Sequence, residues 1–161
     1  MTSHPALRLT SLSPDTTALI ARRLGGDLGP GDVILLSGPV GAGKSHFARA
    51  LIQSRLAMLG RHEDVPSPTY TLIQTYDLGR FEIYHADLYR LGDAGECDEL
   101  GLFEAFDSAV CLVEWPERLG RFVPKDALHL KLTPDGDSRV LTFASTNPRW
   151  HARLAGLEQT Q

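Results

Sequence analysis

Lysine is scarce in this chain: Lys44, Lys125 and Lys131 are the full set among 161 residues, and 20 Asp and Glu outweigh 16 Lys and Arg to leave a net charge of -4. Binding along a nucleic-acid backbone needs clustered Lys and Arg against the phosphates. Direct binding of a long RNA is therefore not expected, nor is DNA binding, and Arg22, Arg23, Arg49 and Arg55 are the one local grouping that could gather positive charge. Cysteine is scarce too. Cys97 and Cys111 are too few, and too oddly spaced, for a disulfide framework or a four-thiolate metal site, which points to a reducing cytoplasm. No stretch approaches the ~20 apolar residues of a membrane span, and Met1–Arg8 carries no apolar run of signal-peptide length, so no membrane partner is expected. Internal repeats and low-complexity segments are lacking.

What the chain does have is 42% hydrophobic residues, enough for one sizeable core. The expectation is a single domain over 1–161, with a core at about 12–144 and a peripheral tail at 148–161. Its most specific local feature is Val33-Ile34-Leu35-Leu36-Ser37 running into Gly38-Pro39-Val40-Gly41-Ala42-Gly43-Lys44-Ser45. An apolar strand, a G-x-x-x-x-G-K-S loop and a following helix are the parts of a nucleoside triphosphate phosphate cradle. The three glycines let the backbone turn tightly and aim successive N–H groups at an anion, helped by the positive end of the helix. Lys44 is then the point charge for the β- and γ-phosphates, and the Ser45 hydroxyl the expected magnesium ligand.

Around this loop the chain reads as alternating elements. Ser13-Pro14-Asp15 supplies an N-cap, a first-turn proline and a first-turn acid for a helix that runs to about Leu24 and stops at Gly25-Gly26. From Lys44, the residues Phe47, Ala48, Leu51, Ile52, Leu56 and Leu59 recur at helical spacing as far as Gly60. Thr69–Tyr76 and Phe81–Tyr89 read as a hairpin about Asp77–Arg80. Asp93–Phe106 is helical but broken near Gly101. Val110–Val113 is a buried central strand closed by Glu114, Ala127–Thr133 and Arg139–Ala144 form a second hairpin, and a short helix starts near Pro148. The fold class is α/β: a P-loop NTPase fold with a mixed, mostly parallel sheet, helices on both faces and β-hairpin insertions.

Four positions are candidates to stand opposite the loop. Glu114, an acid at the end of an apolar strand, is placed to meet the magnesium directly or through water; the alternative is a cap on the next helix. Thr69, in Pro66-Ser67-Pro68-Thr69-Tyr70, occupies the place of a nucleotide-sensing loop, or else opens a strand rigidly. Asp87 shares a strand face with His85 and either orients the attacking water or forms a structural ion pair. Trp115 is either core or an aromatic beside the nucleotide. A zinc site from His85, Asp87 and Cys97 lacks a fourth ligand.

In order and spacing, Gly38–Ser45, Ser67-Pro68-Thr69-Tyr70-Thr71-Leu72, Tyr84-His85-Ala86-Asp87-Leu88-Tyr89-Arg90-Leu91 and Leu112-Val113-Glu114-Trp115-Pro116-Glu117 resemble the TsaE family, the P-loop ATPases of bacterial tRNA threonylcarbamoyladenosine (t6A) biosynthesis. The likeness runs from about Leu12 to Phe143. It implies a cytoplasmic, slowly hydrolysing ATPase that uses ATP and Mg2+, acts with a TsaB–TsaD heterodimer to drive or reset its cycle, and meets tRNA only through that complex. It also implies that Gly38 to His46 and Trp115 bind nucleotide, that Ser45 and Glu114 serve the metal, and that Lys44, Thr69 and Asp87 serve hydrolysis. Pro39-Val40 stands where Asp-Leu is common. His46 stands where a second Thr is common, leaving the polar contact to the α-phosphate open. Two other readings compete: a small-molecule or nucleotide kinase, for which Arg118 and Arg121 are the only nearby lid arginines, and an ATP-gated binding module with little turnover. A GTPase is disfavoured because no Asn-Lys-x-Asp segment is present.

Overall fold

The apolar run Val33–Leu36 lies at the centre of a seven-stranded sheet. In the computed structural model, which describes residues 5–160, the strands are β1 (Pro5–Ser11), β2 (Val33–Ser37), β3 (Ile73–Asp77), β4 (Glu82–Asp87), β5 (Val110–Glu114), β6 (Leu128–Asp135) and β7 (Ser138–Ala144). The helices are α1 (Pro14–Gly25), α2 (Lys44–Ala57), α3 (Gly95–Glu99), α4 (Leu102–Ser108) and α5 (Pro148–Ala155), with 3-10 segments at Pro116–Phe122 and Gly156–Thr160. Strand order is β1-β7-β6-β2-β5-β4-β3. The three central junctions, β6/β2, β2/β5 and β5/β4, are parallel, and the outer ones are antiparallel. The mixed sheet and both hairpins agree with the sequence reading.

Side chains that alternate along a strand split the core into two layers. Ile34, Leu36, Val110 and Leu112 pack with α1, α2 and α5, whereas Val33, Leu35, Cys111 and Val113 pack with α3 and α4. Helices therefore cover both faces, which is why β2 and β5 are apolar throughout. Helix α1 begins as its sequence dictates, with the Ser13 hydroxyl accepting from Thr16 N at 3.2 Å. Helix α2 is different. Gly43 sits at its N-cap with φ 103° and gives no side-chain cap, so the first-turn amides are left to other acceptors.

The structure also corrects several expectations. No strand is expected from the sequence before Ser13, yet β1 pairs antiparallel with β7, burying Leu7 and Leu9 while Arg8 and Thr10 face solvent. Leu59 lies beyond the end of α2 and is half exposed, because the helix closes at Ala57. The run from Thr69 is not extended at first. Residues 69–72 form a turn closed by Leu72 N donating to Pro68 O at 2.9 Å, with Leu72 at φ 66°, and the strand starts only at Ile73. The segment from Pro148, read as a peripheral tail, contributes Trp150 to the α1/α2 core with 0% exposure. Helix α5 is held there by Asp32, 2% exposed at the start of β2, which lies 3.0 Å from Arg149 Nη2 and 2.8 Å from Arg153 Nη1.

Candidate functional site

Parallel pairing sets the site. The register aligns Leu36 with Glu114 and Asp87 with Glu114, so the two acids end neighbouring strands directly beside the point where Gly38 leaves β2. Open α/β sheets place their ligands at the carboxyl ends of such strands. A cavity of about 430 Å³ opens there, lined among others by Gly41, Gly43, Lys44, Ser45, Thr69, Asp87, Glu114 and Trp115.

The loop owes its shape to its glycines. A Cβ on Gly38, at φ 143°, would stand 2.5 Å from the carbonyl oxygen of Leu132 on β6, a distance no side chain tolerates. Lys44 is 5% exposed and donates from Nζ to the carbonyls of Gly38 and of Pro39, the latter at 3.1 Å. Its ammonium also lies 3.9 Å from the centre of the Trp115 ring. Burial holds its pKa below the ordinary lysine value, opposed by the nearby charges of Glu114, Asp87 and Glu117.

Ser45 Oγ donates to the Glu114 carboxylate at 2.8 and 3.1 Å, and His85 Nε2 meets Glu114 Oε2 at 2.7 Å. His85 thus pairs with Glu114 across the strands, and among the described residues it makes no hydrogen bond to Asp87 along its own. Glu114 is 2% exposed and is not a helix cap. Asp87, 6% exposed, accepts from Tyr89 N at 3.1 Å. Burial pushes its carboxyl above the usual range; the Tyr89 N–H works against this and the neighbouring Glu114 charge adds to it.

Of the positions singled out from sequence, Val40, Gly41, Gly43, Lys44, Ser45, His46, Thr69, Asp87, Glu114 and Trp115 line the cavity together. Gly38 and Pro39 reach Lys44 through their carbonyls, and Ala42 is wholly buried beneath the loop. His46 commits Nε2 to Pro14 O at 2.9 Å, tying α2 to the first turn of α1. Thr69 Oγ1 lies 3.0 Å from Ser67 Oγ. Trp115 is half-buried, with left-handed backbone at φ 58°, and its ring packs on Tyr89 at 4.9 Å between centroids. A bulky residue in that conformation stores strain, which gathers at functional sites. Tyr89, in the same motif as His85 and Asp87, is a site residue that no local pattern in the sequence singles out: it lines the cavity and supports the Trp115 ring. The zinc alternative does not form: Cys97 is buried in the α3/α4 core, and among the described residues no group of three or more His, Cys, Asp and Glu is arranged to hold a metal.

A larger groove, about 520 Å³, runs between α1 and α2 and includes Arg22, Arg49 and Arg61. Glu63 and Asp64 offset these charges. Arg61 pairs with Glu63 at 2.5 Å, Arg49 donates to Val65 O, and Arg55 donates to the Gly25 and Leu28 carbonyls. Of the four arginines grouped in the sequence, Arg49 and Arg55 are thus engaged in holding loops.

A glycine loop between a central parallel strand and a helix with an uncapped N-terminus, facing acids on the next two strands, defines a P-loop NTPase fold. A family model described as threonylcarbamoyl adenosine biosynthesis protein TsaE matches residues 11–141, and the chain belongs to that family. Among curated relatives, the tRNA threonylcarbamoyladenosine biosynthesis protein TsaE of Rickettsia conorii is 34% identical over 90% of this chain and 81% of its own length. That of Bacillus subtilis is 36% identical over 89% of each. The crystal structure of Bacillus subtilis YdiB superposes with a TM-score of 0.78 at 28% identity, covering 99% of this chain and 97% of that one. No helix among the described residues is long and apolar enough to cross a membrane.

Proposed function

We propose that this protein is the ATP-binding, slowly hydrolysing component of tRNA threonylcarbamoyladenosine (t6A) synthesis, acting in the cytoplasm with a TsaB–TsaD heterodimer and reaching tRNA through that complex. The observation that carries the reading is the meeting of Lys44, Ser45, Asp87 and Glu114 in one cavity at the ends of β2, β4 and β5.

In this reading the Gly41–Ser45 backbone and the start of α2 receive the phosphates. Lys44 exchanges the Gly38 and Pro39 carbonyls for phosphate oxygens, a move within reach because all three groups belong to one loop. Ser45 Oγ and the Glu114 carboxylate, 2.8 Å apart, form a pair of hard oxygen donors that suits magnesium. When bound, that ion neutralises charge building on the transferring phosphoryl group. His85 holds the Glu114 carboxylate in place. Asp87 and the Thr69 hydroxyl, both on the cavity wall, orient the attacking water. The chain's contribution is positioning and electrostatics with no covalent intermediate.

The arginine supply supports slow turnover. Arg90 lies on the cavity wall, but its guanidinium stacks 4.7 Å over the Tyr70 ring. A stabilising arginine or a loop-ordering contact from the partner would then accelerate hydrolysis. The kinase alternative is weakened by the short 3-10 connection Pro116–Phe122, where Arg121 packs on Phe122 and forms no lid.

The test is size-exclusion chromatography of the purified chain with its own organism's TsaB–TsaD pair under ATP–magnesium, ADP–magnesium and no nucleotide. Co-elution that depends on ATP is expected. No association under any condition overturns the partner assignment, and an unchanged hydrolysis rate on adding the pair overturns the acceleration.

A further inference from the structure

The phosphate loop is gripped from behind by a residue outside every motif that identifies it. Arg139, on β7, donates from Nε to Ala42 O at 3.2 Å and from Nη2 to Gly41 O at 3.2 Å. Its Nη1 is anchored on the hairpin itself, to Ser138 O at 2.8 Å and Gly136 O at 3.4 Å. One planar guanidinium thus bridges the tip of the β6–β7 hairpin to two consecutive peptides of the loop. The same hairpin makes the loop's other close contact, Leu132 O against Gly38.

These two carbonyls have a particular consequence. No peptide among the described residues is cis, and in a trans peptide C=O and N–H point in opposite directions. Drawing Ala42 C=O toward Arg139 therefore turns the Gly43 N–H the other way, toward the cavity that Gly43 lines and the start of α2. Drawing Gly41 C=O likewise turns the Ala42 N–H inward, where it donates to Pro39 O at 3.1 Å and closes the loop on itself. A cation on a carbonyl also polarises the peptide and strengthens the N–H as a donor.

We propose that Arg139 is a positioning residue for nucleotide binding: by holding the Gly41 and Ala42 carbonyls outward, it keeps the turn closed through Ala42 N–H on Pro39 O and fixes the Gly43 N–H in the orientation that receives phosphate. This rests on the nucleotide-binding reading above. Binding then no longer bears the entropy of ordering the six-residue, three-glycine turn Gly38–Gly43. The role is shared by ADP and ATP, because the loop grips the phosphates common to both, and it is complete before chemistry starts. Lysine cannot substitute, since a single ammonium does not fork to two carbonyls while remaining tied to the hairpin.

The experiment compares wild type, Arg139→Lys and Arg139→Gln by calorimetric titration with ADP–magnesium and with a non-hydrolysable ATP analogue, by thermal melting without ligand, and by steady-state ATPase assay. Both variants are expected to melt close to wild type and to bind both nucleotides about tenfold more weakly, the scale of one charge-assisted hydrogen bond. KM should rise by a similar factor and kcat stay within about twofold, the signature of a ground-state positioning effect. Amide hydrogen exchange over residues 39–46, measured without ligand, should quicken in both variants while β6 and β7 keep their protection. Wild-type affinity in both variants overturns this inference and leaves nucleotide binding intact. A fall in kcat at unchanged KM overturns it too, as does an affinity loss matched by exchange throughout β6 and β7, which would mark a merely structural role. Failure of the wild type to bind either nucleotide overturns the nucleotide reading and this inference with it.

Discussion

Replacing Lys44 by Ala should separate stability from binding more cleanly than any other change in the site. In the protein alone the ammonium has two carbonyl acceptors and the face of Trp115, but burial already holds its pKa down, a sign that the charge is poorly solvated there. Truncation removes favourable contacts together with a desolvated charge, and the space it vacates joins the open cavity that Lys44 lines, so that water can replace the ammonium on the Gly38 and Pro39 carbonyls. The melting temperature should stay within about 3 °C of wild type, the shift that roughly 1 kcal/mol gives in a domain of this size. Nucleotide binding gains no such offset. Two lost charge-assisted bonds to phosphate oxygens, at about 1.5–3 kcal/mol each, weaken binding by roughly 3–6 kcal/mol, or between a hundredfold and ten-thousandfold. Calorimetric titration with ATP–magnesium beside a melting curve measures both. Affinity within about fivefold of wild type would refute the assignment of Lys44 to the phosphates, and a large drop in melting temperature would refute the claim that its carbonyl contacts are expendable.

Asp87→Asn should keep nucleotide affinity and lower single-turnover hydrolysis by at least about a hundredfold, the usual scale for a positioned proton acceptor. Burial raises the Asp87 pKa in the free protein, and wild-type single-turnover rates should climb with pH as its carboxyl loses its proton; a pH profile that is unchanged in the variant would exclude Asp87 as its source. His129 on β6 has its pKa lowered by burial from 6.5, so the folded state binds its proton less readily than the unfolded chain. Its stability contribution is full above pH 6.5 and is lost as pH falls below that value toward the folded pKa; melting curves between pH 8 and 5.5 should show the loss and His129→Gln should flatten it. Burial pushes the Cys97 thiol to about 11 and the Cys111 thiol to about 12. Both should react with a disulfide reagent at neutral pH only as fast as the fold opens, and rapid labelling of the folded protein would contradict their placement in the core.

The elements legible in the sequence were those whose signal is local. Ser13-Pro14-Asp15 starts a helix through contacts within four residues, and Val110–Val113 is apolar on both faces because helices cover both. Thr69–Leu72 misled because β-branched and aromatic residues there favour extension, yet Pro68 accepts from Leu72 and closes a turn. Strand β1 carried its own period-two pattern in Leu7 and Leu9. Seven residues at the chain's start become a strand only through pairing with β7, some 130 positions away. Trp150 escaped for a related reason: helix α5 reads as polar, and its tryptophan is buried by apolar contact with α1 and α2, with Nε1 donating to Asp126 O and Arg149 and Arg153 pairing with Asp32, partners beyond any sequence window.

The site divides along the same line. Lys44, Ser45, Asp87 and Glu114 each sit in a contiguous motif whose chemistry can be read from neighbours, and parallel register then carries the acids to the loop. What holds these groups in place comes from far along the chain: His85 on Glu114 across two strands, and Arg139 on Gly41 and Ala42 from almost a hundred residues downstream. A phosphate cradle must display N–H groups, and displaying them requires something to take the carbonyls on the opposite side of each peptide. In this chain a strand from the antiparallel half of the sheet meets that requirement. The β6–β7 hairpin is therefore part of the site's construction, although it contributes no group to the cavity itself.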